Sequence, residues 1–219
     1  MKGVVIFGNG DIARLAHHYF TKDSAHEVAA FTVDRAFQKG NRFLDKPVVP
    51  FEEVAQAYPP SEYAMFVALS YARMNTLRAA KFEEATRLGY QLVSYVSSRC
   101  SFLTEHPVGR NCFILEDNTV QPFVRIGENV TLWSGNHIGH DSVIEDHCFI
   151  SSHVVVSGHV RVGPYCFIGV NATLRNGITL AAKSLIGAGA VVMKDTAPEG
   201  VYLAPQARLW DRKSSEADL

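Results

Sequence analysis

Residues 138 to 163 read IGHDSVIEDHCFISSHVVVSGHVRVG, and four histidines fall in that stretch with His137 just ahead of it. Imidazole titrates near neutral pH, so it serves as a general base, as a metal ligand, or as a plain polar side chain. Which of these applies depends on where the histidines point. That is set by the period of the sequence around them.

Every sixth residue from Val108 to Val192 is Val, Ile or Leu, fifteen in succession. The residue after the aliphatic is often glycine (Gly109, Gly127, Gly139, Gly163), and the fourth is often small (Cys112, Ser142, Cys148, Ala172). A six-residue period of this kind is the hexapeptide repeat of parallel β-helices. Side chains alternate along a strand, so the aliphatic and the small residue two before it both point inward. The glycine is expected to permit the tight bend. Three hexapeptides make one triangular coil of 18 residues, and the run holds about five coils without a break.

The cysteines share this phase. Cys100, Cys112, Cys148 and Cys166 are separated by 12, 36 and 18 residues, all multiples of six. They are expected to be buried reduced thiols that pack, and neither a disulfide framework nor a zinc site. His147, His153 and His159 each sit three after an aliphatic, so they are expected to point outward on successive faces without converging. Zinc shared across a subunit boundary is the alternative for them. No metal is expected within one chain.

The first hundred residues have another pattern. Val4 to Gly8 is a buried-strand run, followed by helical spacing, then a second strand from Val28 to Asp34. Tyr63 to Leu69 reads as a third strand, Met74 to Leu88 as a helix, and Gln91 to Val96 as a fourth strand. Strand–helix alternation implies a small parallel sheet with crossover helices, here a Rossmann-like α/β domain. Gly8 and Gly10 between first strand and helix, with Asp34 ending the second strand, form a variant dinucleotide fingerprint. The same residues also suit a tight turn in any doubly wound sheet.

Composition bounds the partners. The chain has 219 residues, 21 Lys+Arg against 22 Asp+Glu, and a net charge of −1. That balance gives no electrostatic case for nucleic acid or an anionic membrane. The apolar run after Lys2 is too short for a signal peptide, and no stretch approaches the roughly 20 residues of a membrane helix. A cytoplasmic protein without membrane insertion is expected.

A small Rossmann-like domain (residues 1–95) followed by an uninterrupted repeat (96–219) resembles the sugar acyltransferases of the sialic-acid O-acetyltransferase and bacillosamine N-acetyltransferase type. The resemblance implies a left-handed β-helix, a homotrimer, acetyl-CoA as acyl donor, and a nucleotide-linked amino sugar of surface-glycan biosynthesis as acceptor. The family's histidine–acid pair corresponds to His140-Asp141 in IGHDS. His140 is then the general base and Asp141 the group that raises its basicity, with His137 as the competing base. Adjacent residues on a strand point apart, so contact between His140 and Asp141 requires a turn.

Gly158, Val170 and Ala188 correspond to positions that line coenzyme A. Phe149 replaces a family histidine near the pantetheine, on which its ring could still pack. The family's C-terminal Gly-x-Pro-Ala is only roughly matched by Ala204 to Ala207. For the nucleotide sugar the candidates are Gly8, Gly10, Asp11, Asp34, Arg35, Ser70 and Tyr71. Alternative readings are O-acetylation on the same scaffold, a metal-dependent hydratase, or a non-catalytic trimeric scaffold.

Overall fold

A computed structural model describes residues 3–209 together with 211, 213 and 215. The N-terminal part is one sheet of β1 (Gly3–Phe7), β2 (Val28–Val33), β3 (Arg42–Phe43), β4 (Lys46–Pro50), β5 (Tyr63–Val67) and β6 (Gln91–Leu92), in the order β3-β4-β2-β1-β5-β6. All neighbours are parallel except β3 and β4. The alternation of β1 explains the layering. Val4 and Ile6 pack with Ala13, Ala16 and Phe20 of α1 (Asp11–Lys22) on one face, while Val5 and Phe7 pack with Phe82 and Ala85 of α3 (Thr76–Arg87) on the other. A short helix, α2 (Val54–Ala57), follows β4.

Two expectations change here. The strand Gln91 to Val96 is divided: Gln91–Leu92 ends the α/β sheet, and Tyr95–Val96 pairs with Phe113–Ile114 as the first rung of the β-helix. The strand β4 has no counterpart in the sequence reading, because Pro47 and Pro50 interrupt its apolar run.

The remainder is a parallel β-helix of two-residue strands in three sheets. Partners are 18 residues apart, as in the line Ser101, Thr119, His137, Val155, Thr173 and Val191, except at the last rung, where Leu185 pairs with Val201. The lumen is a continuous apolar column with the repeat's aliphatics at its centre, and Cys112, Cys148 and Cys166 are fully buried in it. All four cysteines are free thiols, with Cys100 only partly buried. The column also takes in Val96, Phe102 and Val108, so the period starts two hexapeptides earlier than the unbroken aliphatic run.

The bends are not made at the repeat glycines. Positive φ falls at the third residue after each aliphatic, for example Asn129 (57°), Asp141 (58°), His147 (64°), His153 (56°), His159 (58°) and Tyr165 (62°). Asn, Asp and His tolerate the left-handed region better than most residues, which is why they recur in this slot, with glycine at 135, 177 and 189. The repeat glycines answer a different constraint. A Cβ on Gly139 would lie 2.6 Å from the Gly158 nitrogen, and one on Gly163 would lie 2.8 Å from the Leu180 oxygen. The coils stack too closely there for any side chain.

The α/β part sits on one face of the β-helix. Phe113 and Leu115 join the α1-side core. Arg78 of α3 is 1 % exposed and donates to the carbonyl oxygens of Asn129 (3.2 Å), His147 (3.0 Å) and Cys148 (3.1 Å). No carboxylate among the described residues partners it, and burial pulls the guanidinium down to about 10. Asn75 makes the same kind of contact, donating to the Tyr165 and Cys166 oxygens.

Candidate active site

His140 lies in the corner after the strand His137–Ile138, where the left-handed Asp141 turns the chain toward the strand Val143–Ile144. That turn brings two adjacent side chains to one side. His140 Nδ1 stands 2.8 Å from Asp141 Oδ2. An ionised carboxylate only accepts, so the contact assigns the imidazole proton to Nδ1 and leaves the lone pair on Nε2. The backbone of His140 is held at both ends: its N–H donates to Gln121 Oε1 at 2.9 Å, and its carbonyl accepts from the His159 N–H at 2.9 Å.

The next coil supplies the rest of the surroundings. Gly158 lies beneath the ring, and a Cβ there would be 2.7 Å from His140 Nε2. His159 stands edge-on to His140, with ring centroids 5.0 Å apart at 86°. Its Nε2 is 4.0 Å from the same Asp141 oxygen. His159 does not converge with His147 or His153, but the expectation of a plain outward side chain is corrected for it: it meets the His140–Asp141 pair through the 18-residue register. One ligand atom from each of His140, Asp141 and His159 lies within 4.8 Å of the others, a spacing that could admit a metal ion.

His147 is also corrected. It lies outside the lumen but is 8 % exposed, covered by α3, with its Nδ1 2.9 Å from Asn129 Nδ2 and its ring 4.7 Å from Tyr165. Burial pulls this imidazole below its ordinary value of 6.5. His137 is half-buried on an outer face and His153 is exposed.

A second concavity, of about 220 Å³, lies between the α/β part and the β-helix, lined by Ile12, Tyr71, Trp133, Phe149, Ser151, Ser152 and Val170. Tyr71 packs on Phe149 (5.0 Å) and Phe167 (4.7 Å). Phe149 itself is 3 % exposed and enclosed by Tyr71, Trp133, Phe167 and the Arg78 guanidinium. Its ring is thus a wall shared with the α/β part and has no free face for a pantetheine arm. Val170 is 43 % exposed in the same groove, beside Tyr71, whereas Ala188 is exposed one coil further on. Within one chain the groove and His140 occupy different corners of the triangle.

The remaining candidates have structural partners. Gly8 (φ 123°) has no room for a Cβ, which would lie 2.8 Å from the Ala68 oxygen, while Gly10 opens onto free space at the start of α1. Asp11 is exposed beside Arg14 at 3.4 Å. Asp34 is held by Lys81 at 2.7 Å, so a ribose would have to compete with an ammonium for it. Arg35 is engaged by Glu53 through its guanidinium and by Glu52 through its backbone N–H. Ser70 is half-buried next to Tyr71.

Sequence reasoning missed Trp133 and Ile12 in the groove and His159 beside the pair. The signal for His159 was the 18-residue period itself, since 159 is one coil beyond 141. The signal for the covered face was the outward aromatic at Phe113, Phe149 and Phe167, each immediately before an aliphatic.

Residues 123–158 match the family described as bacterial transferase hexapeptide (six repeats), and residues 159–194 match the hexapeptide repeat of succinyl-transferase. Among curated proteins, the acyl-[acyl-carrier-protein]–UDP-N-acetylglucosamine O-acyltransferase of Stutzerimonas stutzeri is 31% identical over 93 residues, covering 42% of this chain and 36% of that one. The chain thus spans about a third of the length of the curated relatives it matches. Solved structures are similar over nearly the whole chain. The acetyltransferase domain of PglB from Neisseria gonorrhoeae has a TM-score of 0.81 at 18% identity, covering 93% and 97% of the two chains. A histidine variant of perosamine N-acetyltransferase from Caulobacter crescentus, in complex with CoA and GDP-perosamine, has a TM-score of 0.82 at 23% identity, covering 93% and 94%. WeeI from Acinetobacter baumannii has 0.79 at 18%, covering 95% and 99%. The chain carries hexapeptide repeats over residues 123–194 and shares the fold of these structures, an α/β region followed by a parallel β-helix.

Proposed function

We propose that this protein is an acetyl-CoA-dependent N-acetyltransferase acting on a nucleotide-linked amino sugar for surface-glycan biosynthesis. The observation that carries the reading is the 2.8 Å contact of His140 Nδ1 with Asp141, which leaves Nε2 turned over a residue that has no side chain. In this reaction the sugar amine attacks the thioester carbonyl. His140 Nε2 takes the amine proton, Asp141 stabilises the imidazolium that results, and the proton leaves with the coenzyme A thiol. Holding amine and thioester together supplies much of the rate by orientation.

The α/β part, residues 1–95, is read as a Rossmann-like nucleotide-sugar domain, and residues 96–219 as a left-handed β-helix carrying the acyl transfer. Support for the first comes from the aromatic groove at the start of α1, whose Tyr71, Trp133 and Ile12 offer apolar surface beside the Ser151 and Ser152 hydroxyls. Gly8, Gly10, Asp11, Asp34, Arg35 and Ser70 remain the proposed surroundings of the nucleotide, with Gly158, Val170 and Ala188 on the side of coenzyme A. The groove and His140 lie on different corners of one chain, so a complete site draws on a neighbouring copy. This favours the homotrimer. No helix among the described residues is long and apolar enough to cross a membrane. The four free thiols accord with a cytoplasmic setting.

The curated relatives favour a second reading, O-acylation, because they are O-acyltransferases of UDP-N-acetylglucosamine. Calorimetric titration with acetyl-CoA and with UDP-, GDP- and dTDP-linked amino sugars, followed by turnover on an amino sugar and its hydroxy analogue, separates the two. The expected result is micromolar binding of acetyl-CoA, one preferred nucleotide, and turnover of the amine alone. Binding of neither substrate refutes both readings. His140→Ala should lower kcat by roughly two to four orders of magnitude, the range for loss of a general base.

A further inference from the structure

We propose that His159 is a positioning residue for the His140 base, acting through Asp141. The inference rests on the acetyltransferase reading of the site and extends it by one side chain.

Three observations carry it. The first is register. Asp141 and His159 are 18 residues apart and fill the same left-handed slot of consecutive coils, at φ 58° and 58°. The strands before them are paired, His137 with Val155 and Ile138 with Val156, and the His159 N–H donates to the His140 carbonyl at 2.9 Å. The stacking therefore fixes His159 beside the pair.

The second is the shared oxygen. Asp141 Oδ2 lies 2.8 Å from His140 Nδ1 and 4.0 Å from His159 Nε2. At 2.8 Å the first contact is a hydrogen bond, whereas at 4.0 Å the second lies beyond hydrogen-bond range and sets the His159 ring against the carboxylate. The Asp141 side chain is 42% exposed, so the His159 ring limits the room in which it can swing into water and release Nδ1.

The third is ring packing. His140 and His159 meet edge to face at 5.0 Å and 86°, which restrains rotation of the His140 ring. Gly158, between them in the chain, leaves the space under Nε2 clear. A base that must present one nitrogen to an incoming amine gains from having both its tautomer and its plane fixed before the substrate arrives.

The test uses the full-length protein and the variants His159→Asn, His159→Gln, Asp141→Asn and the double variant His159→Asn/Asp141→Asn. Asparagine keeps the left-handed corner but is too short to reach the carboxylate; glutamine restores a donor at longer reach. His159→Asn should lower kcat by roughly threefold to tenfold, the effect of one ordinary polar contact, with KM for both substrates unchanged. His159→Gln should recover most of that loss. On the Asp141→Asn background, His159→Asn should have no further effect. Two-bond proton–nitrogen spectra of the His140 imidazole should show the Nδ1–H tautomer in the parent protein and mixed tautomers in His159→Asn.

An equal loss on both backgrounds, a change in KM alone, or an unaltered His140 tautomer overturns the inference. Failure of the underlying reading looks different: His140→Ala would keep full turnover. In that case the tautomer measurement still decides whether His159 positions the ring.

Discussion

Substituting Gly158 with alanine tests the site with a single methyl group. The added Cβ would lie 2.7 Å from His140 Nε2 and 2.9 Å from Cε1. An ordinary contact is 3.4 Å or more, so the ring must retreat by at least about 0.7 Å. The obstruction is the far end of a side chain and Gly158 does not use a positive φ, so the backbone accommodates alanine without strain. The displaced ring loses its 2.8 Å contact with Asp141, and Nε2 moves away from the approaching amine. A misplacement of about 1 Å costs on the order of 100-fold in rate, so a loss of roughly 30- to 100-fold in kcat is expected. That corresponds to about 2 to 3 kcal/mol of transition-state stabilisation. The assay pairs steady-state release of the coenzyme A thiol with a thermal melt of the same preparation. Lowered kcat with an unchanged melt supports His140 Nε2 as the base. An unchanged kcat with an unchanged melt would refute it, because the methyl group would then occupy the very space the mechanism needs.

Three further outcomes follow from the packing. Arg78→Ala removes the donor of the buried Asn129 and His147 carbonyls, leaves the Cys148 carbonyl only the Thr131 N–H, and opens a void under α3, so urea unfolding should show a loss of about 2–4 kcal/mol. Burial holds His147 below the 6.5 of an unfolded histidine, so the folded state binds fewer protons than the unfolded state in that range. Its contribution to stability is therefore present above pH 6.5 and lost as pH falls below it, and His147→Asn, which matches Asn129 in the same slot, should flatten that slope in unfolding measured from pH 7.5 to 5. Burial pushes the Cys112 thiol up to about 12, Cys100 to about 11 and Cys148 well above its ordinary value. Native protein should shield the fully buried Cys112, Cys148 and Cys166 from a thiol reagent that titrates all four cysteines after denaturation.

The β-helix was legible because its period is a steric requirement repeated at every coil. Fifteen aliphatics in phase leave one architecture, and the 18-residue pairing follows from it. The role of the repeat glycines was misread, since period alone does not distinguish a bend from a close approach. What covers each face was also hidden. His147 and His159 occupy equivalent positions, yet one is enclosed by α3 and the other stands at an exposed corner. Nothing local separates them; the difference lies in where Arg78 and Asn75 dock on the stack. Phe149 was assigned to a cofactor by correspondence, and its enclosure by Tyr71 and Trp133 depends on the α/β part that sits over it. The contact between His140 and Asp141 needed a left-handed residue at 141, which the slot supplies at every turn of the repeat.

That recurring slot makes the chemistry portable. The histidine–aspartate pair occupies no special loop; it fills two addresses that recur in every hexapeptide as Arg110-Asn111, Glu128-Asn129, Ser152-His153 or Gly158-His159. Moving the pair by 18 residues translates it by one strand spacing, roughly 4.8 Å along the axis, and leaves its internal geometry unaltered. The stack is therefore a graduated rail on which a base can be relocated in fixed steps relative to a substrate held at one end. Reach along such a rail is selected by counting residues, with no need to redesign a pocket.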